Sequence, residues 1–157
     1  MTTSDTSSRR VLVDSSVLIA AFDRQGTSGT QMQDKAVQTM RRLGEDESVE
    51  IVLTPLVLHE TLRGVPQVEK DRAQELEKVL SDFPVLPLDE GVVRLATALY
   101  KQLVASNTII KSGAYKRNYD LMHFATAKHH NCEFEHNESG GFVGYQAAYE
   151  AFQNRDQ

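Results

Sequence analysis

Apolar residues along the chain follow two alternating patterns, short unbroken runs and longer stretches that repeat every three or four residues. The runs are "VLV" at 11–13, "VEIVLT" at 49–54, "FPVLPL" at 83–88 and "CEFEH" at 132–136. Their brevity and their bounding turn formers or acids predict four strands. Helical spacing fills the intervals. "VLIAAF" follows the helix-starting Asp14-Ser15-Ser16, and "QMQDKAVQTMRRL" places Met32, Ala36, Met40 and Leu43 on one face before Gly44 ends it. "LVLHETLRG" starts behind Pro55 and stops at Gly64, and "PQVEKDRAQELEKVLSDF" carries Val68, Leu76, Val79 and Leu80 among charges. "DEGVVRLATALYKQLVA" is opened by Asp89, "YDLMHFATAKHHN" is closed by histidines and Asn131, and "GYQAAYEAFQ" predicts a final helix.

Alternating strands and helices predict an α/β fold, a central parallel sheet with helices on both faces. At 157 residues the chain holds one domain. Its expected extent is 11–154, behind a polar, disordered tail at 1–10, "MTTSDTSSRR", which lacks the apolar segment of a secretory signal. No run approaches the roughly 20 apolar residues of a membrane span. The single cysteine, Cys132, has no internal disulfide partner, and a cytoplasmic location is expected. A net charge of -5 argues against a protein that coats nucleic acid through a basic surface. A divalent cation held by carboxylates would reconcile an acidic site with a phosphate substrate.

Parallel sheets keep their sites at the carboxyl ends of strands. Asp14 ends the first strand, Glu60 lies one helical turn after the second, Asp120 opens the helix before the fourth, and Glu138 follows the fourth. Singly, Asp14 and Asp120 read as helix caps, Glu60 as a solvated helix residue and Glu138 as a turn residue. Brought to one edge, they would repel unless one were protonated or a cation joined them. Oxygen ligands alone favour Mg²⁺ or Mn²⁺. The loop before Asp120 carries Lys111, Tyr115, Lys116, Arg117 and Tyr119, a mixture suited to phosphate contact and base stacking. His129, His130 and His136 with Cys132 do not predict structural zinc, because adjacent histidines point to different helix faces and no second cysteine pair exists. Cys132 reads as a small core residue.

In order and spacing, "VLVDSSVLIAAF", "TPLVLHETLRG", "YDLMHFATAKHHNCEF" and "HNES" resemble the PIN domain family over residues 11 to about 142. The resemblance implies a three-layer α/β/α fold with a central parallel sheet of four or five strands. It implies a metal-dependent ribonuclease, and in small free-standing members the toxin of a type II toxin-antitoxin pair. Matched by position, Asp14, Glu60 and Asp120 are the family's metal-binding acids, supported by Ser16 or Ser15, and Glu138 is the fourth. There the family's usual Thr-Asn-Asp is replaced by His136-Asn137-Glu138, with one more methylene in the acid. Ser16 and Asn137 join Lys116 and Arg117 as candidate substrate-binding residues. Expected partners are RNA, a cognate antitoxin and a second copy of the chain, with the helices of "LVLHETLRG" and "PQVEKDRAQELEKVL" offering the groove or the dimer face.

Other readings compete. A phosphatase with an aspartate nucleophile would place a second acid where Ser16 stands, and a receiver domain would need a paired acid and a late lysine. A PIN-like binding module without activity, acting through protein or RNA partners, is the non-enzymatic alternative.

Overall fold

A computed structural model of the chain describes residues 8–23, 28–107, 118–137 and 141–155. Its elements are β1 (Arg9–Val13), α1 (Ser15–Ala21), α2 (Thr30–Glu45), β2 (Val49–Val52), α3 (Pro55–Arg63), α4 (Lys70–Leu80), α5 (Glu90–Ala105), α6 (Asn118–His129), β3 (Glu133–Glu135) and α7 (Gly141–Gln153). The sheet is parallel, in the order β2-β1-β3. Val11 is paired with Ile51 on one side and Glu133 on the other. The first strand begins at Arg9, which pairs with Val49, so ordered structure reaches two residues into the segment expected to be a tail.

Side chains alternate across β1 with the period of two that a strand imposes. Val11 and Val13 pack with Val17, Leu18, Ala36, Leu43, Val57 and Leu80, a core under α1 to α4. Leu12 faces the other way, onto Val52, Leu86, Ala127 and Cys132. Beyond that layer α5, α6 and α7 share Val92, Leu99, Leu103, Leu121, Phe124 and Tyr145. Helices therefore cover both faces of the sheet, and Cys132 is a buried core residue as its context predicted.

The third expected strand, 83–88, is reduced to one parallel bridge between Leu53 and Val85. The Leu53 N–H donates to the Pro84 carbonyl at 2.9 Å, and the Leu86 N–H donates to the Leu53 carbonyl at 2.8 Å. The next bonds of that ladder would need N–H groups from Pro84 on one side and from Pro55, which opens α3, on the other, so it cannot extend either way. Among the described residues the sheet thus has three strands instead of the expected four or five.

Helix ends follow local chemistry. Thr54 caps α3 by accepting from the Val57 N–H at 3.1 Å, with Pro55 at the first position, and Gly64 closes it. Asp89 caps α5 through the Val92 N–H at 3.0 Å. Two expectations fail. Gly44 lies inside α2, and the chain turns instead at Asp46, whose carboxylate accepts from the backbone and hydroxyl of Ser48. Val68 precedes α4 and is 91% exposed, because a turn closed by the Glu69 N–H on the Pro66 carbonyl delays the helix.

Because α6 runs against the strands, its two ends lie at opposite edges of the sheet. The Asp14 N–H donates to the Glu135 carbonyl at 2.9 Å, which marks the strands' carboxyl edge. At the other edge the Arg10 guanidinium donates to the His130 carbonyl. No described helix is long and apolar enough to cross a membrane.

Leu99→Ala, which empties a fully buried position in the helical layer, should lower stability by about 2–5 kcal/mol. Val68→Ser should stay within about 0.5 kcal/mol of wild type. Urea denaturation followed by circular dichroism measures both.

Candidate metal centre at the strand ends

Asp14 stands where β1 becomes α1. Its backbone is extended, so it ends the strand and caps the helix at once. The residue is only 2% exposed. Oδ2 accepts from the Ser16 N–H at 3.2 Å and from the Ser16 hydroxyl at 2.5 Å. Ser16 Oγ in turn accepts from the Asn137 N–H at 3.1 Å, and the Asn137 side-chain amide reaches the Ser16 carbonyl at 3.5 Å. Ser16 and Asn137 therefore meet beside Asp14, and the exit of β3 is tied to the start of α1.

Asp14 Oδ1 is buried and has no hydrogen-bond partner among the described residues. Burying a charged oxygen without a donor costs several kcal/mol unless a cation approaches it. Among the described residues a basic atom, His123 Nε2, lies 3.8 Å from it.

Glu60, on α3, is the second acid at this edge. Its Oε2 accepts from the Ser15 hydroxyl at 2.8 Å and lies 2.7 Å from His123 Nε2. Burial pushes the Glu60 carboxyl up. The hydrogen bonds from His123 and Ser15, with the charges of His123 and Arg63, outweigh burial and hold it below the ordinary glutamate range. The adjacent serines thus serve different acids, Ser16 supporting Asp14 and Ser15 supporting Glu60.

His123 is fully buried on α6. Its Nδ1 faces the Thr54 hydroxyl at 3.5 Å, and that hydroxyl already accepts from the Val57 N–H. Its two ring nitrogens therefore face one polar group each, Glu60 at Nε2 and the Thr54 hydroxyl at Nδ1. One ligand atom from each of Asp14, Glu60 and His123 lies within 4.8 Å of the others, close enough to share a metal ion. Nε2 can donate to Glu60 or ligate a cation, but not both at once.

Asp120 lies in the first turn of α6, three residues before His123 and therefore on the same helix face. That turn stands at the strands' carboxyl edge. His123 was missed because it sits in the apolar stretch "LMHFATA", although its i+3 spacing from Asp120 was a usable signal. Glu138, Lys116 and Arg117 lie outside the described residues.

Glu60 has a folded-state value below its unfolded one, so its ionised form stabilises the fold above about pH 4.3. That contribution is lost as pH falls through the lower folded-state value. With EDTA present, His123→Leu should lower stability at pH 7 by on the order of 3 kcal/mol. It should also shrink the stability lost between neutral and acid pH, both readable from urea midpoints. A variant as stable as wild type at pH 7 would contradict the pairing.

The sequence pattern of the PIN domain matches residues 11–138. Three solved structures share the fold. VapBC2 from Rickettsia felis, bound to a DNA fragment from its promoter, is 17% identical, covers 85% of this chain and 91% of its own, and gives a TM-score of 0.65. A toxin-antitoxin complex from Klebsiella pneumoniae is 19% identical over 85% and 91%, with a TM-score of 0.61. VapC20 from Mycobacterium tuberculosis, a Sarcin-Ricin loop cleaving toxin, is 17% identical over 88% and 94%, with a TM-score of 0.56. No curated protein matches the sequence.

Proposed function

The chain belongs to the PIN domain family, and on that premise we propose that it is a divalent-metal-dependent endoribonuclease, the toxin of a type II toxin-antitoxin pair acting in the cytoplasm. The observation that carries the nuclease reading is the buried, unpartnered Asp14 Oδ1 beside Glu60. An oxygen-rich, dehydrated pocket suits Mg²⁺ or Mn²⁺, and Asp14, Glu60 and Asp120 would hold the ion, with Glu138 completing the set. Such an ion would neutralise phosphoryl charge and lower the pKa of a bound water.

The chain's own groups prepare that chemistry. Ser16 and Asn137 fix the Asp14 carboxylate so that Oδ1 faces the site. Ser15 and His123 hold Glu60 ionised and oriented. His123 is in this reading a positioning residue, and it places a donor between two acids that would otherwise repel. Lys116 and Arg117 supply phosphate contacts and lie directly before α6, whose first turn carries Asp120.

The toxin reading is supported by the two neighbours described as a toxin-antitoxin complex and a cleaving toxin. A groove between α1, α3 and α4 is lined by Leu18, Ile19, Phe22, Thr61, Val65 and Leu76, with Asp23 and Arg72 among its polar groups. An amphipathic antitoxin segment fits such a surface. The homodimer is part of the same reading, with the exposed Val79 of α4 as its apolar contact.

Asp14→Asn and Asp120→Asn should each abolish Mn²⁺-dependent cleavage of single-stranded RNA while leaving the circular dichroism spectrum unchanged. Retained cleavage would sink the assignment. Lys116→Glu with Arg117→Glu should weaken RNA binding and flatten its salt dependence by about 0.7 in log–log slope for each phosphate no longer neutralised. An unchanged slope would remove these residues from the interface.

A further inference from the structure

At the sheet edge opposite the acids, Asp89, His129 and His130 converge from two helices. Asp89 caps α5, His129 is the last residue of α6, and His130 follows it. His129 Nε2 lies 3.4 Å from Asp89 Oδ1, and His130 Nε2 lies 3.8 Å from Asp89 Oδ2. One ligand atom from each of the three lies within 4.8 Å of the others. Tetrahedral coordination with bonds of about 2.0–2.1 Å sets neighbouring ligand atoms roughly 3.3 Å apart, so the three groups stand near coordinating distance, and an ion would draw His130 Nε2 from the Pro87 carbonyl it faces at 3.2 Å.

Adjacent histidines leave a helix in different directions, and here both rings nevertheless reach Asp89. Here α6 ends at His129 and the chain turns, with Asn131 in the left-handed region at φ 55° and the Cys132 N–H bonded to the Ala127 carbonyl at 2.7 Å. The His130 N–H still bonds the Thr126 carbonyl at 3.0 Å as in a helix, and it is side-chain reach that brings the two rings edge to face with centroids 5.0 Å apart. The His129 ring lies against α5 at Gly91, where an added Cβ would come within 2.2 Å of its Cε1. Glycine there leaves the room that lets the ring reach Asp89.

We propose that Asp89, His129 and His130 form a second metal site, for Zn²⁺ or a similar borderline divalent ion, that clamps the start of α5 to the end of α6. Two imidazoles and one carboxylate select such ions over Mg²⁺, which prefers all-oxygen ligands. His129 is about one-third exposed and Asp89 somewhat more, so an ion and a completing water can enter from solvent. Along α6 the site stands about 13 Å from Asp120 at the 1.5 Å rise per residue of a helix, too far to share an ion with the acidic edge.

Untagged protein titrated with ZnCl₂ tests the site, by isothermal titration calorimetry for stoichiometry and by Tm for stabilisation. His129→Ala with His130→Ala should remove one equivalent of bound Zn²⁺ per chain from the wild-type total. In an Asp14→Asn, Glu60→Gln background, which disables the acidic edge, one equivalent should remain and should raise Tm. Mg²⁺ should not substitute for it. Gly91→Ala keeps all three ligands, and should weaken Zn²⁺ binding about tenfold without lowering Tm in EDTA. Binding unchanged by the double histidine substitution, or no rise in Tm with Zn²⁺ in the acid-disabled background, would overturn the proposal. Neither result bears on RNA cleavage at the other edge.

Discussion

The structure depends on keeping one dehydrated carboxylate in place at the end of its central strand. Asp14 sits where three exits meet, because the parallel order β2-β1-β3 puts the ends of β2 and β3 on either side of it. β2 leads through Thr54 into α3 and Glu60, and β3 leads into Asn137. A water-excluded carboxylate must be met by donors. One of its oxygens takes two from Ser16, and the hydroxyl of Ser16 is held by the backbone of Asn137. The polar contact that fixes the acid is therefore also the joint between the two ends of the domain's sequence.

Glu60 poses a second electrostatic problem, since a carboxylate placed near another raises the energy of both. His123 answers it from α6, a helix otherwise packed through Leu121, Phe124 and Ala125. Its 2.7 Å contact and the Ser15 hydroxyl keep Glu60 ionised although burial opposes this. Thr54 completes the chain of dependence, capping α3 with one lone pair and facing the far nitrogen of His123. Helix capping, acid placement and imidazole orientation are thus one connected network, built from residues in β1, α1, α3 and α6.

How far this was legible follows from which forces are local. Asp14 and Asp89 cap the helices they were expected to open, since a cap is a contact over two or three residues, whereas Thr54, read as the end of a strand, also caps α3. The β2-β1-β3 core follows from short apolar runs. The segment 83–88 has the same apolar character, but the missing N–H groups of Pro84 and Pro55 deny it a ladder, a backbone effect that hydropathy does not register. In the site, the acids are visible because a charge after an apolar run stands out, whereas His123 is hidden by apolar neighbours and acquires its meaning only when Glu60 is folded against it. The division of labour between Ser15 and Ser16 is likewise set by tertiary placement.

The two ends of α6 differ in chemistry in a way that its sequence makes possible. At its start, His123 meets Asp14 and Glu60, a set dominated by oxygen, and Asp120 lies one turn before it on the same helix face. At its finish, His129 and His130 oppose a single carboxylate, a set dominated by nitrogen. Hard cations prefer the first and borderline cations the second. A sequence with paired histidines at both ends would lose that distinction, and a softer ion could then compete for the acidic edge. Confining the adjacent histidine pair to the edge away from the buried acids lets one helix serve both layers of the fold and keeps their electrostatics separate.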